Sequence, residues 1–157
     1  MEDIINIYTE IALAMSWSYN FKDHTADIAV DVVADNLSEL FMAAAYAWHE
    51  SITDTKIGGV LERKSIALNA EDLEILLVSF LSELNFLFQS ETWMFSSIEN
   101  IELTKKNDVC NLSVILLGSK FNRDMLKLKS EIKAITYHQM EIKEKNGKFS
   151  TRIVFDI

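Results

Sequence analysis

Alternating apolar and polar side chains mark a β-strand in the first third of the chain. In residues 27–33, Ile28, Val30 and Val32 alternate with polar or small residues. A period of two is typical of a strand that buries one of its faces. Less regular runs predict further strands over residues 60–68, 97–105 and 109–118, the last two joined by a turn at 106–108.

Two other stretches repeat their apolar residues at helical spacing. The first covers residues 37–50, and Asn36 stands at its start in a pattern close to a capping box. The second covers residues 71–89, where Asn69 followed by Asp72 resembles an N-cap. Each helix has an apolar stripe that is expected to pack on a sheet. The pattern therefore predicts an α+β fold: a mixed or antiparallel sheet with two main helices packed on it.

The dipeptide Asn146-Gly147 between two alternating runs predicts a C-terminal β-hairpin with a type I′ turn. In an unbroken register Lys145 pairs with Lys148, and every later pair follows from that one. This register places Tyr137 opposite Asp156, with Lys133 on the same face, and turns Asp156 away from the apolar side. The remaining predicted pairs are His138 with Phe155, Met140 with Ile153, Ile142 with Thr151, and Glu141 with Arg152.

Length and composition indicate one globular domain over residues 16–157. Residues 1–15 read as an N-terminal extension, either a short helix or an artefact of an upstream start. The only cysteine, Cys110, cannot form an internal disulfide and is expected to be a buried, inert thiol, which fits a reducing cytoplasm. No uninterrupted apolar run has the length of a membrane span, and the acidic start is unlike a signal peptide.

The net charge of −9 argues against direct binding of RNA or DNA, which is driven by neutralising phosphates. An acidic protein is better suited to a basic protein partner. Signatures of common enzymes are also missing from the sequence: it has no phosphate-binding glycine loop, no zinc-type spacing and no nucleophile elbow.

Carboxylates are the remaining candidate chemistry. Asp156 stands next to the C-terminal carboxylate of Ile157, and the run His24-Thr25-Ala26-Asp27 precedes the first predicted strand. Carboxylates that a fold brings together either bind a hard cation or repel each other. Taken singly, each of these residues reads more simply as a solvated strand end or a loop residue.

Several short motifs, considered together, resemble the archease family over residues 16–157 without a large gap. The motifs are Phe21-Lys22-Asp23-His24-Thr25-Ala26-Asp27-Ile28, Leu37-Ser38-Glu39-Leu40-Phe41, Asp72-Leu73-Glu74-Ile75-Leu76-Leu77, Leu81-Ser82-Glu83-Leu84, the run from Glu131 to His138, and the terminal Asp156-Ile157. The chain departs from the family pattern at Ala34, where a glycine is frequent, and at Ser119-Lys120, where a glutamate commonly follows the glycine.

The resemblance implies an accessory protein that activates an RtcB-type tRNA-splicing RNA ligase and is not itself an enzyme. Such a protein promotes guanylylation and multiple turnover of the ligase, and it meets RNA only through that ligase. The resemblance assigns metal binding to Asp27, Asp156 and the terminal carboxylate of Ile157, and ligase activation to Lys133. His24 and Tyr137 are expected to support the metal ligands from outside.

Oxygen ligands alone favour a hard divalent cation, so Ca²⁺ is the preferred ion and Mg²⁺ or Mn²⁺ the alternatives. Two other functions stay open at this point. One is a metal-dependent phosphohydrolase that uses Asp27 and Asp156 as ligands and His24 as base. The other is a chaperone-like interaction protein without metal chemistry.

Overall fold

The computed structural model describes residues 16–22 and 25–157. The predicted N-terminal extension and His24 lie outside these residues. Among these described residues, the α-helices are α1 (Leu37–Ile52) and α2 (Leu73–Glu91). The strands are β1 (Trp17–Lys22), β2 (Asp27–Ala34), β3 (Glu62–Ala70), β4 (Trp93–Lys106), β5 (Val109–Lys120), β6 (Ala134–Thr136), β7 (Lys143–Lys145) and β8 (Lys148–Asp156).

The strands form two sheets instead of the single sheet that was predicted. One sheet has the order β1-β2-β8-β6, with β7 also paired to β8, and the other has the order β3-β5-β4. Every pairing between the described strands is antiparallel. Each helix contacts strands of both sheets, so that helices and sheets share one hydrophobic core. The α+β class and the two packed helices are confirmed.

Both helices begin where their capping residues predict. The side chain of Asn36 accepts a hydrogen bond from the backbone N–H of Glu39 at 2.9 Å. Asp72 accepts one from the N–H of Ile75 at 2.7 Å, whereas Asn69 lies within β3. Each carboxyl or amide oxygen satisfies a backbone donor that the first helical turn leaves unpaired.

Helix α2 is long enough and apolar enough to cross a membrane, judged by its length and composition alone. Half of that segment is buried within the fold, where its leucines and phenylalanines pack in the core. Core packing therefore accounts for its composition. Cys110, in β5, is buried as a free thiol, which confirms its predicted burial.

The C-terminal hairpin has the predicted turn. Asn146 and Gly147 both have positive φ, 53° and 75°, as a type I′ turn requires, and Lys145 pairs with Lys148. The predicted register holds for only three pairs, ending at Lys143 and Ser150.

Beyond that point the predicted register is wrong by three residues. Residues 137–142 leave the ladder through a turn in which the N–H of Met140 bonds to the carbonyl of Tyr137 and Gln139 has a φ of 59°. Ala134, not Tyr137, is the partner of Asp156, and Ile135, not His138, is the partner of Phe155. This register buries an isoleucine against the core where the predicted one would bury an imidazole.

The other pairs predicted from the unbroken register are also wrong. Met140, Glu141 and Ile142 lie outside the strands, and His138 is exposed. Arg152 makes two hydrogen bonds to Asp31 on β2, at 2.6 and 3.0 Å, instead of pairing with Glu141. The ion-pair partner of Glu141 is Lys143, at 3.4 Å.

Candidate functional site

Two of the predicted ligands meet directly across the sheet. Asp27 is the first residue of β2 and Asp156 is the last residue of β8, and the two are paired in the antiparallel ladder. Directly opposite residues point to the same face, with Cβ atoms typically about 4.5–5.5 Å apart. The buried pair of Val30 and Ile153 further along the two strands helps to hold this register. Strand pairing therefore joins carboxylates from distant parts of the chain.

The third predicted donor is the terminal carboxylate of Ile157. Ile157 follows Asp156 directly and is 38% exposed. Asp156 is exposed, whereas Asp27 is half-buried and its Oδ1 atom is buried. Within the described residues, no three His, Cys, Asp or Glu side chains form a group that could hold a metal. The predicted set has only two such side chains, and its third donor is the terminal carboxylate; an all-oxygen set of this kind suits a hard cation.

Lys133 is also brought to this end of the sheet. Its backbone N–H donates to the carbonyl of Asp156 at 2.7 Å, just before β6 begins. Its exposed side chain and Ile157 border the same surface depression of about 590 Å³. The other residues that line it are Thr25, Ala26, Lys129, Ser130 and Glu131.

Tyr137 and His24 were predicted to support the metal ligands, and the structure describes Tyr137 only. Tyr137 is 57% exposed and follows β6, so it does not face Asp156 across the ladder. Its predicted role depended on the unbroken hairpin register. His24 lies outside the described residues.

The sequence analysis did not single out the residues that hold the segment before Lys133. Asn85 and Gln89 of α2 both donate side-chain hydrogen bonds to the carbonyl of Ile132, at 2.9 and 2.7 Å. A signal was present, because Asn85 is a polar residue in the middle of the apolar stripe of α2. The C-terminal end of α1 holds the same segment further upstream, where the N–H of Lys129 donates to the carbonyl of Ile52.

Other ionisable groups with perturbed pKa values lie away from this site. The hydrogen bonds from Arg152 hold the pKa of Asp31 below its usual range. Burial and a hydrogen bond to Glu50 raise the pKa of Tyr19. Burial lowers the pKa of His49, near the end of α1. Asp31 lies four residues further along β2 than Asp27, and Tyr19 and His49 lie in β1 and α1.

Comparison with known proteins identifies the family. Residues 19–157 match the Archease protein family. The protein archease of Archaeoglobus fulgidus is 36% identical over 139 residues, covering 88% of this chain and 98% of that protein. That of Pyrococcus furiosus is 35% identical and covers 86% and 95%.

Two solved structures have the same fold. The solution structure of Methanobacterium thermoautotrophicum protein 1598 is 30% identical, covers 88% of this chain and 98% of its own, and has a TM-score of 0.77. The crystal structure of the Thermotoga maritima archease, described as a possible chaperone, is 23% identical, covers 87% and 94%, and has a TM-score of 0.55. The chain described here belongs to the archease family.

Proposed function

We propose that this protein activates an RtcB-type tRNA-splicing RNA ligase in the cytoplasm, promoting its guanylylation and multiple turnover without joining RNA itself. The observation that carries the proposal is the meeting of Asp27, Asp156, the chain end and Lys133 at one end of a sheet in an archease. The ligase is the protein partner, and the protein contacts RNA only through that ligase.

Asp27, Asp156 and the terminal carboxylate of Ile157 would together hold a divalent cation. Three carboxylates close together repel one another unless a positive charge is placed among them. Their oxygen atoms favour Ca²⁺, with Mg²⁺ or Mn²⁺ as alternatives. When bound, the cation supplies positive charge that can organise phosphate oxygens.

Lys133 is the residue that we assign to ligase contact. Its ammonium group has no ion-pair partner within 4.0 Å among the described residues, unlike Lys129, which binds Asp54 at 3.1 Å. An exposed lysine beside carboxylates is suited to a phosphate or to an acidic group of a partner. The net charge of −9 favours docking on the basic surface of an RNA-binding enzyme.

The proposal is tested by following the ligase–GMP adduct of the cognate ligase with GTP and Mn²⁺. We expect the wild-type protein to accelerate adduct formation and Lys133→Met to lose at least about tenfold of that acceleration, since it removes a charge-assisted contact. Lys105→Met is the matched control, because Lys105 is an exposed lysine of β4 outside the site. No acceleration by the wild-type protein over ligase alone would overturn the proposal.

A chaperone-like role without metal chemistry is the second candidate, since the Thermotoga maritima relative is described as a possible chaperone. That role predicts a higher yield of soluble ligase, an unchanged rate of adduct formation per folded ligase, and no effect of Lys133→Met. A phosphohydrolase would instead release phosphate from a substrate in the absence of ligase. The same assay, run with and without ligase, separates the three functions.

A further inference from the structure

Asn85 is a buried polar residue whose hydrogen bonds lead to the site. It is 6% exposed within the apolar face of α2, where an amide is costly unless it is hydrogen-bonded. Its Oδ1 accepts from the indole N–H of buried Trp48 at 3.2 Å, and its Nδ2 donates to the carbonyl of Ile132 at 2.9 Å. The indole can only donate and the carbonyl can only accept, so these partners define the orientation of the amide.

The peptide unit between Ile132 and Lys133 is held on both sides. Its carbonyl accepts from Asn85 and from Gln89, one helical turn further along α2. Its N–H, that of Lys133, donates to the carbonyl of Asp156 at 2.7 Å. The side chain of Ile132 is 1% exposed and anchors the segment in the core.

These contacts leave little freedom to the backbone at Lys133. A peptide unit is planar, so hydrogen bonds at both its carbonyl and its N–H restrict its position and orientation. Backbone order that exists before binding does not have to be acquired on binding, which favours association. The same peptide also ties Lys133 to the backbone of Asp156.

We propose that Asn85, assisted by Gln89, is a positioning residue that sets Lys133 relative to Asp156 and the chain end through the carbonyl of Ile132. The inference rests on the proposed function, because it assigns the activating role to Lys133. In this arrangement α2 determines the position of Lys133 relative to Asp156, although α2 carries no ligand of the predicted metal set.

Amide hydrogen exchange tests the positioning without any ligase. In Asn85→Leu, a change of similar volume, we expect the amide of Lys133 to exchange about tenfold faster or more, since a hydrogen-bonded support of its peptide is lost. The amide of Lys129, held by the carbonyl of Ile52, should change less than about twofold. Val78→Ala, a buried change elsewhere on α2, is the control for general loss of stability.

Equal acceleration of exchange at Lys129 and Lys133, or none at Lys133, would overturn the positioning role. If Asn85→Leu does not fold, Gln89→Leu provides the same measurement, because it removes the other donor from a half-buried position. We expect Gln89→Leu to accelerate exchange at the amide of Lys133 selectively. Equal acceleration at Lys129 and Lys133 in this variant would also overturn the positioning role.

Activation of the ligase provides the second test. We expect Asn85→Leu to lower the acceleration of adduct formation in the wild-type background and to have no further effect in Lys133→Met. An equal fold-loss in both backgrounds would show that Asn85 does not act through Lys133, while leaving the proposed function intact. If Lys133→Met alone activates normally, the role assigned to Lys133 fails while ligase activation stands, and the exchange measurement still decides whether Asn85 holds the backbone. The proposed function itself fails only if the wild-type protein does not accelerate adduct formation.

Discussion

At the scale of single residues, His49 links protonation to the packing of the core. It lies in the last turn of α1, half-buried, with its ring 5.4 Å from that of Phe95. Burial lowers the pKa of His49, and a hydrogen bond with the Phe95 backbone and the nearby Glu50 carboxylate oppose this shift without cancelling it. The imidazole is therefore neutral in the fold at pH 7.

This pKa shift makes stability fall on acidification. Below the unfolded pKa of about 6.5, the unfolded chain binds a proton at His49 that the folded chain still excludes. The free energy of unfolding therefore decreases as the pH falls from about 6.5 towards the lower folded pKa. We expect His49→Gln to lose less stability than the wild type between pH 7.5 and pH 5.5, measured by urea unfolding.

The matched control for this pH effect is His138→Gln, because His138 is exposed. It should keep the pH dependence of the wild type. All three proteins contain the same carboxyl groups and differ only at one histidine, so the comparison isolates the imidazole. Parallel stability curves for the wild type and His49→Gln would show that protonation of His49 does not oppose folding.

At the scale of elements, Gly118 allows β4 and β5 to approach each other closely. It pairs with Phe95, next to an irregularity in β4 between Phe95 and Ser97. A Cβ atom at Gly118 would lie 2.4 Å from the carbonyl oxygen of Met94 and 2.7 Å from the Cα of Phe95. These are backbone atoms, so a rotamer change cannot relieve the overlap.

Gly118→Ala is therefore expected to lower the free energy of unfolding by about 1–3 kcal/mol, as overpacking of a close contact does. Gly58→Ala should change it by less than about 0.5 kcal/mol, because a Cβ atom there meets nothing within 4 Å. Urea unfolding of both variants provides the measurement. Similar stability of the two variants would mean that β4 can move away without cost.

Helices, caps and tight turns are determined by residues that are close together in the sequence, and these features were predictable. Both helices, the cap at Asp72 and the Asn146-Gly147 turn follow from short patterns that act locally. The turn over residues 137–142 contains no glycine or proline that would indicate a turn, so the hairpin register was predicted incorrectly from that point. Strand β1 was missed, although Trp17, Tyr19 and Phe21 alternate with polar residues.

At the scale of the whole molecule, the separation into two sheets and the assembly of the site depend on contacts between distant segments. Pairing of β2 with β8 decides that Asp27 meets Asp156, and no periodicity within either strand contains that information. The predicted site came instead from resemblance to a family, read across the whole chain. The carbonyl of Ile132, held by two side chains of α2, shows that a helix can belong to a site without supplying a ligand.

The last prediction concerns the chain end, which the proposed cation site requires to be free. Replacing the terminal carboxylate of Ile157 with an amide by semisynthesis removes one anionic donor without adding bulk. We expect Ca²⁺ affinity, measured by calorimetry, and ligase activation to fall about tenfold or more, as losses around metal sites do. The thermal stability of the metal-free protein should be nearly unchanged, because Ile157 is exposed and follows the last strand.

Asp35→Asn, which removes an exposed carboxylate bound to Lys148 and distant in the ladder from Asp156, is the control for charge alone. Unchanged Ca²⁺ affinity in the amide would show that the terminal carboxylate is not a ligand and would reduce the site to its two aspartates.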